Sequence, residues 1–299
     1  GGCSRRQGSL RMKRCVLNAQ RVGAFLRGRE RRRFCSSHAE ETWPGMQQEI
    51  IEVTEIPEKG RGVRAKKAVL GGSQVARVEP LARLSSNISD DFASDPLLSA
   101  VDLSELIDIC QKNQLRFPGM AILMASQALQ HPDGFNDYWS RVYRLQFASL
   151  GDSLPPTYKK CYELFVEAIV TLLGPRGENL AMNSYTERWF ARTLGTLHIN
   201  VIRCSQSGCS VLLESGSMFN HSCNPNVAVD WEVGGRDNND SSQALAAAFR
   251  STRDISEGEE LCISYAAPDM ILDEKQQMLR FAYGIACGES CDCDFDSKE

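Results

Sequence analysis

The chain has 299 residues and a formal net charge of −4, with 42% hydrophobic and 24% charged residues, which suits a soluble globular protein of one large or two small domains. No run of 18 or more apolar residues occurs, so we expect no membrane-spanning helix. The twelve cysteines include no C-x-x-C pair, which excludes a zinc ribbon and a thioredoxin-type motif. No secretory signal is recognisable and a chain of this size needs no disulfides, so a reducing compartment is favoured.

Residues 1–40 form a basic N-terminal extension, in which residues 1–39 carry eleven Lys or Arg residues and the single acid Glu30. This Arg-rich, acid-poor composition is typical of an organelle transit peptide, and Arg33-Phe34 before Cys35 is a plausible processing point. The alternative is a disordered basic tail. The rest of the chain is acidic, which suits a cationic protein substrate. Imaging a reporter fused to residues 1–40 decides between an organelle and another compartment.

Residues 49–82 predict short strands joined by turns. Ile51 and Val53 precede the turn cluster 57–60 (PEKG), and further short β segments are marked by Val63, Val69, Val75 and Val78.

Residues 83–196 predict a block of helices. Pro118-Gly119 opens a helix that ends before His131-Pro132. A second helix is predicted from apolar residues at three- and four-residue spacing, and Gly174-Pro175 ends it; these residues are Tyr158, Cys161, Tyr162, Phe165, Ile169, Leu172 and Leu173. Ser184 and Glu187 have the spacing of a capping box before a third helix.

Residues 197–266 return to β structure. The alternation of Val227, Val229 and Trp231 predicts a strand, residues 236–242 a loop, and residues 244–249 a partner strand. A short strand is predicted over 261–264. Residues 267–299 begin with a helix over about 273–281 and end in a cysteine-rich tail. The fold class predicted from this order is α+β.

Four short segments carry groups that can bind a ligand or do chemistry: 59–65 (KGRGVRA), 220–226 (NHSCNPN), 259–265 (EELCISY) and 287–293 (CGESCDC). Paired glycines let backbone approach a ligand, although a two-glycine turn is more often structural. The second segment is dense in hydrogen-bonding groups, and its alternative is an Asx-rich turn. Tyr265 lies at the end of a predicted strand. It is either a core residue or a residue whose hydroxyl orients a reacting group.

Cys287, Cys291 and Cys293 lie close together in the last of these segments. In a reducing compartment this spacing suggests structural zinc, which takes four nitrogen or sulfur ligands. Only three cysteines are local, so a fourth ligand must come from elsewhere. Local redox pairing is the alternative.

Taken together, these segments resemble the SET-domain methyltransferases and, within them, the SMYD-like branch. Residues 220–226 match the branch's NHSC-x-PN signature, and residues 258–265 resemble the GEE…SY strand with its catalytic tyrosine. The resemblance covers about residues 49–295, and the helical block falls where the family places its SET insertion. It implies a SET fold of several small β-sheets with knot-like C-terminal threading, a helical insertion and a short cysteine-rich post-SET segment.

The resemblance also implies an activity, which is transfer of a methyl group from S-adenosylmethionine to a lysine amine in a histone or non-histone protein. Tyr265 is then the catalytic residue. Lys59 and Arg61 contact the cofactor by backbone and by charge to its carboxylate, and Tyr283 stacks near the adenine. The full cofactor set is Lys59, Gly60, Arg61, Asn220, His221 and Tyr283. Cys223 joins Cys287, Cys291 and Cys293 on zinc, and Asn200 loosely matches an asparagine that the family places before the NHSC loop.

The chain departs from the branch in three ways. No paired cysteines follow the first β segment, so the MYND zinc finger is absent from the sequence. The tail cysteines read C-x-x-x-C-x-C instead of C-x-C-x-x-C, and Ile285 stands where an aromatic residue is common.

Other functions remain open at this point. The main alternative to an enzyme is a non-catalytic SET-type scaffold that binds a peptide. A purely structural zinc protein leaves the glycine and NHSC segments unexplained. We expect a monomer with a protein substrate, with no membrane association and no direct nucleic-acid binding by the core. The resemblance favours nucleus or cytoplasm, whereas the Arg-rich extension favours a mitochondrion or plastid.

Overall fold

The structure is a computed structural model that describes residues 42–285 except for 94, 96, 152, 205, 234–244 and 267–269. The basic extension 1–40, the predicted loop 236–242 and the cysteines of the tail lie outside the described residues. No helix among the described residues is both long and apolar enough to cross a membrane.

The first sheet is built around a hairpin of β1 (Ile51–Ile56) and β2 (Gly60–Ala65). Ile56 pairs with Gly60, and the predicted turn between them needs left-handed backbone at Glu58 (φ 65°) and Gly60 (φ 82°). The hairpin continues into β10 (Glu260–Ile263) and β7 (Asn220–His221), in the order β1-β2-β10-β7. Strands that are about 200 residues apart in sequence therefore lie side by side.

Two smaller sheets complete the β structure of the described residues. One has the order β3-β9-β8, from strands Gln74–Val78, Leu245–Ser251 and Val227–Val233. Val229 pairs with Phe249, which confirms the predicted partner strand. The other has the order β4-β6-β5, from Ala82–Leu84, Ser210–Leu212 and Val201–Arg203.

Helices fill most of the chain between β4 and β5. They are α1 (Ile88–Ala93), α2 (Leu103–Asn113), α3 (Pro118–Gln130), α4 (Phe135–Tyr143), α5 (Pro156–Leu173), α6 (Pro175–Asn183) and α7 (Glu187–Asn200). A last helix, α8 (Leu272–Met278), runs into a π-helical turn over Leu279–Tyr283 that ends at Gly284 (φ 67°). Helices in one block and strands in separate small sheets confirm the α+β class.

The helices at 118–130 and 156–173 form where the apolar spacing and the Pro and Gly signals place them. In α5 a proline occupies the first turn, and Gly174 ends the helix with φ 55°. Residues at three- and four-residue spacing face the core; the buried ones are Tyr158, Cys161, Phe165, Ala168 and Ile169.

The capping-box prediction at Ser184 is wrong. The N-cap of α7 is Thr186, whose Oγ1 accepts a hydrogen bond from Trp189 N at 3.3 Å. Ser184 instead ends α6, where its N–H donates to the Leu180 carbonyl. The helix also continues to Asn200, past the expected boundary at 196, and β4 lies across the expected boundary at 82.

An aromatic cluster holds the helical block together. Tyr185, which is fully buried, packs 4.7 Å from the Trp189 ring and donates its hydroxyl to the Ala125 carbonyl at 3.2 Å. Trp139 meets Trp189 edge to face at 5.4 Å. Each aromatic pair of this geometry adds about 0.5–1.5 kcal/mol to stability beyond the effect of the buried area. The cluster therefore gives the helical block a core of its own.

Buried charges fix the block against the sheets. Glu214, with a side chain only 2% exposed, accepts a hydrogen bond from Arg141 Nε at 2.7 Å and also forms an ion pair with Arg144. The Arg144 guanidinium lies 4.1 Å from the centre of the Trp43 ring. Both arginines come from α4 or its end, so this network joins the helices to the segment between β6 and β7.

His198 in α7 is a second buried contact within the helical block. Its Nε2 lies 3.1 Å from the Tyr158 hydroxyl, and its ring meets Phe117 edge to face at 5.0 Å. Burial, and after it the charge of Arg116, lowers the pKa of His198 to about 4. A free imidazole titrates near pH 6.5, so the unfolded chain binds more protons than the folded one between pH 6.5 and 4. Stability therefore falls as the pH falls through this window.

We predict that His198→Gln, which keeps a hydrogen-bonding group beside Tyr158, makes stability less dependent on pH. Between pH 7 and pH 4 the variant should lose up to about 3 kcal/mol less of its unfolding free energy than the wild type. Urea unfolding at pH 7, 5.5 and 4 measures this. The exposed His131→Gln is the control, and equal pH dependence in all three proteins contradicts the prediction.

Candidate functional site

The three polar segments at 59–65, 220–226 and 259–265 meet at β10. This strand pairs antiparallel with β2, where Leu261 faces Val63, and parallel with β7, where Ile263 faces His221. Ser222 N donates to the Ile263 carbonyl at 3.0 Å. The backbone ladder therefore places the glycine turn and the NHSC loop on either side of the strand that leads to Tyr265.

Asn220 joins the glycine segment to β10. Its Nδ2 donates to the Arg61 carbonyl at 3.2 Å and to Glu260 Oε1 at 2.8 Å. A Cβ on Gly62 would lie 2.5 Å from Asn220 Nδ2 and 2.6 Å from Ile56 Cγ1, so a side chain has no room there. The second glycine of the turn is thus required for the close approach of Asn220.

Lys59 and Arg61 point in different directions. Lys59 Nζ forms a 2.5 Å ion pair with Glu260 Oε2, and its side chain remains 47% exposed. Burial lowers the pKa of Lys59, but the hydrogen bond and charge of Glu260 outweigh it, so the pKa is raised overall. The Arg61 guanidinium instead donates to the Arg144 carbonyl and lies 5.5 Å from the Trp43 ring centre. Lys59, not Arg61, is thus the cation of this turn that lies next to Asn220.

His221 is buried beside Tyr265. Its Nδ1 accepts a hydrogen bond from Tyr265 N at 3.1 Å, and its Nε2 lies 3.3 Å from Cys223 Sγ. Burial, followed by the positive charge of Lys275, lowers the pKa of His221 to about 4. The imidazole is therefore neutral at pH 7 and fixes the backbone of Tyr265.

Tyr265 turns its hydroxyl inward. The hydroxyl donates to the Phe219 carbonyl at 2.8 Å, and the ring lies 5.3 Å from His221 and 4.7 Å from Tyr283. Burial, and then the neighbouring Tyr283, raises the pKa of Tyr265. The phenol is therefore protonated at neutral pH.

A small cavity borders the Tyr265 ring. Its lining is mainly apolar: Ile199, Asn200, Ile202, Leu213, Gly216, Ser217, Phe219, Ile263, Tyr265 and Tyr283. Asn200, the loosely assigned asparagine, donates from Nδ2 to the Gln146 and Thr196 carbonyls, both at 2.7 Å. The structure thus places Tyr283 and Asn200 with Tyr265 in this cavity, whereas Lys59 lies with Asn220 and Glu260.

Asn226 fixes the NHSC loop to β10. Its Oδ1 accepts from Cys262 N at 2.8 Å, and its Nδ2 donates to the Glu260 carbonyl at 2.9 Å and to Glu259 Oε1 at 3.0 Å. Glu259 also accepts from Arg253 at 2.6 Å, and this ion pair is the main reason that the pKa of Glu259 is lowered to about 2. Asn226 belongs to the matched signature, but its spacing to β10 gave no sign of this bridging role.

Cys223 is half-buried at the edge of the loop. Within the described part of the chain, no group of three or more His, Cys, Asp or Glu side chains is placed to hold a metal ion. The three other predicted ligands lie outside that part.

The contacts of two further residues were not predicted from the sequence. Glu260 lies in the segment 259–265 singled out above, but nothing there indicated that it contacts both Lys59 and Asn220. Gln146 bonds Asn200 through its carbonyl, and its Nε2 would lie 3.3 Å from a Cβ on Gly60. Both contacts join distant parts of the chain, which no local pattern reveals.

The model of the family described as "SET domain" matches residues 60–266, about two thirds of the chain. The chain belongs to the SET domain family. This confirms the SET fold that the resemblance implied, and the match includes the helical block as well as the segments that meet at β10.

This SET domain also resembles curated proteins named "Histone-lysine N-methyltransferase SET5". The one from Meyerozyma guilliermondii is 35% identical over 111 residues, 37% of this chain and 20% of that protein. The one from Candida glabrata is 25% identical over 209 residues, 70% of this chain and 35% of that protein. The chain therefore spans a fifth to about a third of the length of these relatives.

Among solved structures, this SET domain is similar to the "SET domain of LSMT bound to Lysine and AdoHcy". The TM-score is 0.44 at 15% identity, over 94% of this chain and 62% of the other.

We predict that Asn226→Ala destabilises this SET domain by about 1–3 kcal/mol, because it leaves buried backbone groups of β10 without partners. Chemical denaturation measures the loss. Asn224→Ala, an exposed position in the same loop, is the matched control and should stay within about 0.5 kcal/mol of wild type. Equal effects of the two substitutions contradict the bridging role.

Proposed function

We propose that this SET domain is an S-adenosylmethionine-dependent protein-lysine N-methyltransferase. The observation that carries the proposal is the convergence of the glycine turn, Asn220-His221 and Tyr265 on one strand. Its membership of the SET domain family and its similarity to proteins named histone-lysine N-methyltransferases support it. The substrate is a protein with an accessible lysine, histone or non-histone, and the acidic body of the chain suits such a cation.

The residues of the site fit this cofactor. Lys59 offers a half-exposed cation for a carboxylate, and Asn220, which like Lys59 contacts the Glu260 carboxylate, offers an amide. Tyr265 and Tyr283 offer aromatic faces, which attract a sulfonium cation. When bound, the cofactor supplies an electrophilic methyl group. Gly60, Arg61 and His221 complete the proposed set, Arg61 through its backbone.

Tyr265 orients the substrate amine. Because its hydroxyl proton is donated to the Phe219 carbonyl, the phenolic oxygen presents a lone pair that can accept from the amine N–H. That contact aims the nitrogen lone pair away from the ring. The mainly apolar side chains beside Tyr265 favour the neutral amine, since burial lowers the pKa of a lysine. Positioning of this kind, with no base required, is the main catalytic device.

We predict that Tyr265→Phe retains cofactor binding but lowers methyl transfer by about a hundredfold or more. Transfer of labelled methyl groups to a protein mixture measures the activity, and calorimetry measures binding. Tyr162→Phe, in α5, where the ring packs on Phe190 and does not line the cavity beside Tyr265, is the matched control and should leave both unchanged. A wild-type protein that binds the cofactor and a peptide but transfers no methyl group is the scaffold of the alternative hypothesis and contradicts the enzymatic proposal.

Finer features of the family also belong to the proposal. We place the chain in the SMYD-like branch because of residues 220–226, without a MYND finger in this sequence. We also propose the knot-like threading of its C-terminal segment and a monomeric state without direct nucleic-acid binding. Nucleus or cytoplasm is the proposed compartment, and import of a reporter fused to residues 1–40 into an organelle overturns it.

The tail is proposed to bind structural zinc through Cys223, Cys287, Cys291 and Cys293. Cys223 Sγ lies 3.3 Å from His221, which packs on Tyr265, and Tyr265 packs on Tyr283 at the end of the last helical turn. Cys287 follows Tyr283 by four residues, a reach of up to about 14 Å. Four thiolates satisfy the tetrahedral preference of zinc, which would fasten the tail to the loop.

We predict one zinc ion per chain after metal-replete purification, and at least tenfold weaker zinc retention in Cys223→Ser. Competition with a chromogenic chelator measures retention. Cys110→Ser, a half-buried cysteine in α2, is the control and should retain zinc like the wild type. Metal-free wild-type protein of unchanged stability contradicts the site.

A further inference from the structure

Glu260 engages two residues assigned to the cofactor. One carboxylate oxygen accepts from Asn220 Nδ2 at 2.8 Å, and the other pairs with Lys59 Nζ at 2.5 Å. The proposed role of Lys59 is to bind the carboxylate of the cofactor. The protein therefore already supplies a carboxylate where the proposed ligand needs to place its own.

The side chains of Glu260 and Lys59 differ in mobility. The Glu260 backbone is fixed, because it pairs with Arg64 of β2 and its carbonyl accepts from Asn226. Its side chain is 18% exposed, whereas that of Lys59 is 47% exposed and extends from a turn on a flexible stem. Lys59 is thus the partner that can move, and Glu260 stays with Asn220.

We propose that Glu260 is an internal competitor for Lys59, so that binding of S-adenosylmethionine exchanges one lysine–carboxylate pair for another. This inference rests on the proposed function and adds a positioning residue to it. Part of the attraction between Lys59 and the ligand carboxylate is spent on breaking the existing pair, which holds cofactor affinity below what Lys59 alone would give. Asn220 keeps its acceptor in both states.

The experiment compares two ligands that differ in one group, S-adenosylmethionine and decarboxylated S-adenosylmethionine. Calorimetry gives Kd for each at low ionic strength, and the readout is the preference for the carboxylated ligand. Glu260→Gln keeps an acceptor for Asn220 but releases Lys59, so the preference should rise about two- to fivefold. In the Lys59→Met background the same substitution should leave the preference unchanged, because no cation remains to be released.

Glu257→Gln is the matched control, since it removes the same charge from an exposed position in the turn before β10. It should not alter the preference. A preference that Glu260→Gln leaves unchanged or raises equally in both backgrounds contradicts the competition, and so does weaker binding of both ligands with no change in the preference. The last outcome instead identifies Glu260 as a partner of the ligand's ammonium group. Wild-type protein that binds neither ligand contradicts the proposed function itself, and thermal melting confirms that each variant is folded.

Discussion

The site depends on one buried amide, the side chain of Asn226. Strand β7 is two residues long, so it cannot satisfy the full edge of β10, and unpaired backbone groups there would cost about 1–3 kcal/mol each. Asn226 takes the Cys262 N–H and the Glu260 carbonyl, as a neighbouring strand would. The same amide reaches Glu259, which Arg253 fixes in turn. This single residue thus holds the loop, the turn and the strand of Tyr265 in one arrangement.

The helical block lies in the sequence between the segments that form the site. It can be inserted there because the chain leaves and re-enters the β structure at the same small sheet. Strands β4 and β5, at its two ends, both pair with β6, so the block begins and ends on the same small sheet. Its helices then pack on one another around Tyr185, and the Glu214–Arg141 pair joins them to the sheets. The insertion also contributes to the site, since the end of α7 supplies Asn200 and Ile199 to the cavity beside Tyr265.

Local patterns predicted the long elements but not the contacts between them. The spacing from Tyr158 to Leu173 and the Gly174 stop gave α5 correctly, because a long amphipathic helix repeats its signal over several turns. Strands of two or three residues, such as β7, are too short to show the alternation of apolar and polar residues by which a strand is recognised. The Ser184 cap was misplaced because Thr186, two residues later, is an equally good cap and Ser184 ends the preceding helix. The Lys59–Glu260 pair depends on topology, which no short window of sequence encodes.

Burial leaves the site with two neutral groups, a protonated Tyr265 and an uncharged His221, because it raises the pKa of the phenol and lowers that of the imidazole. Neither can accept a proton from a lysine ammonium at neutral pH. In the proposed reaction, the mainly apolar side chains beside Tyr265 favour the neutral form of the substrate amine, because burial lowers the pKa of a lysine. The protein then contributes alignment, through one hydroxyl oxygen whose own proton is already bound to Phe219.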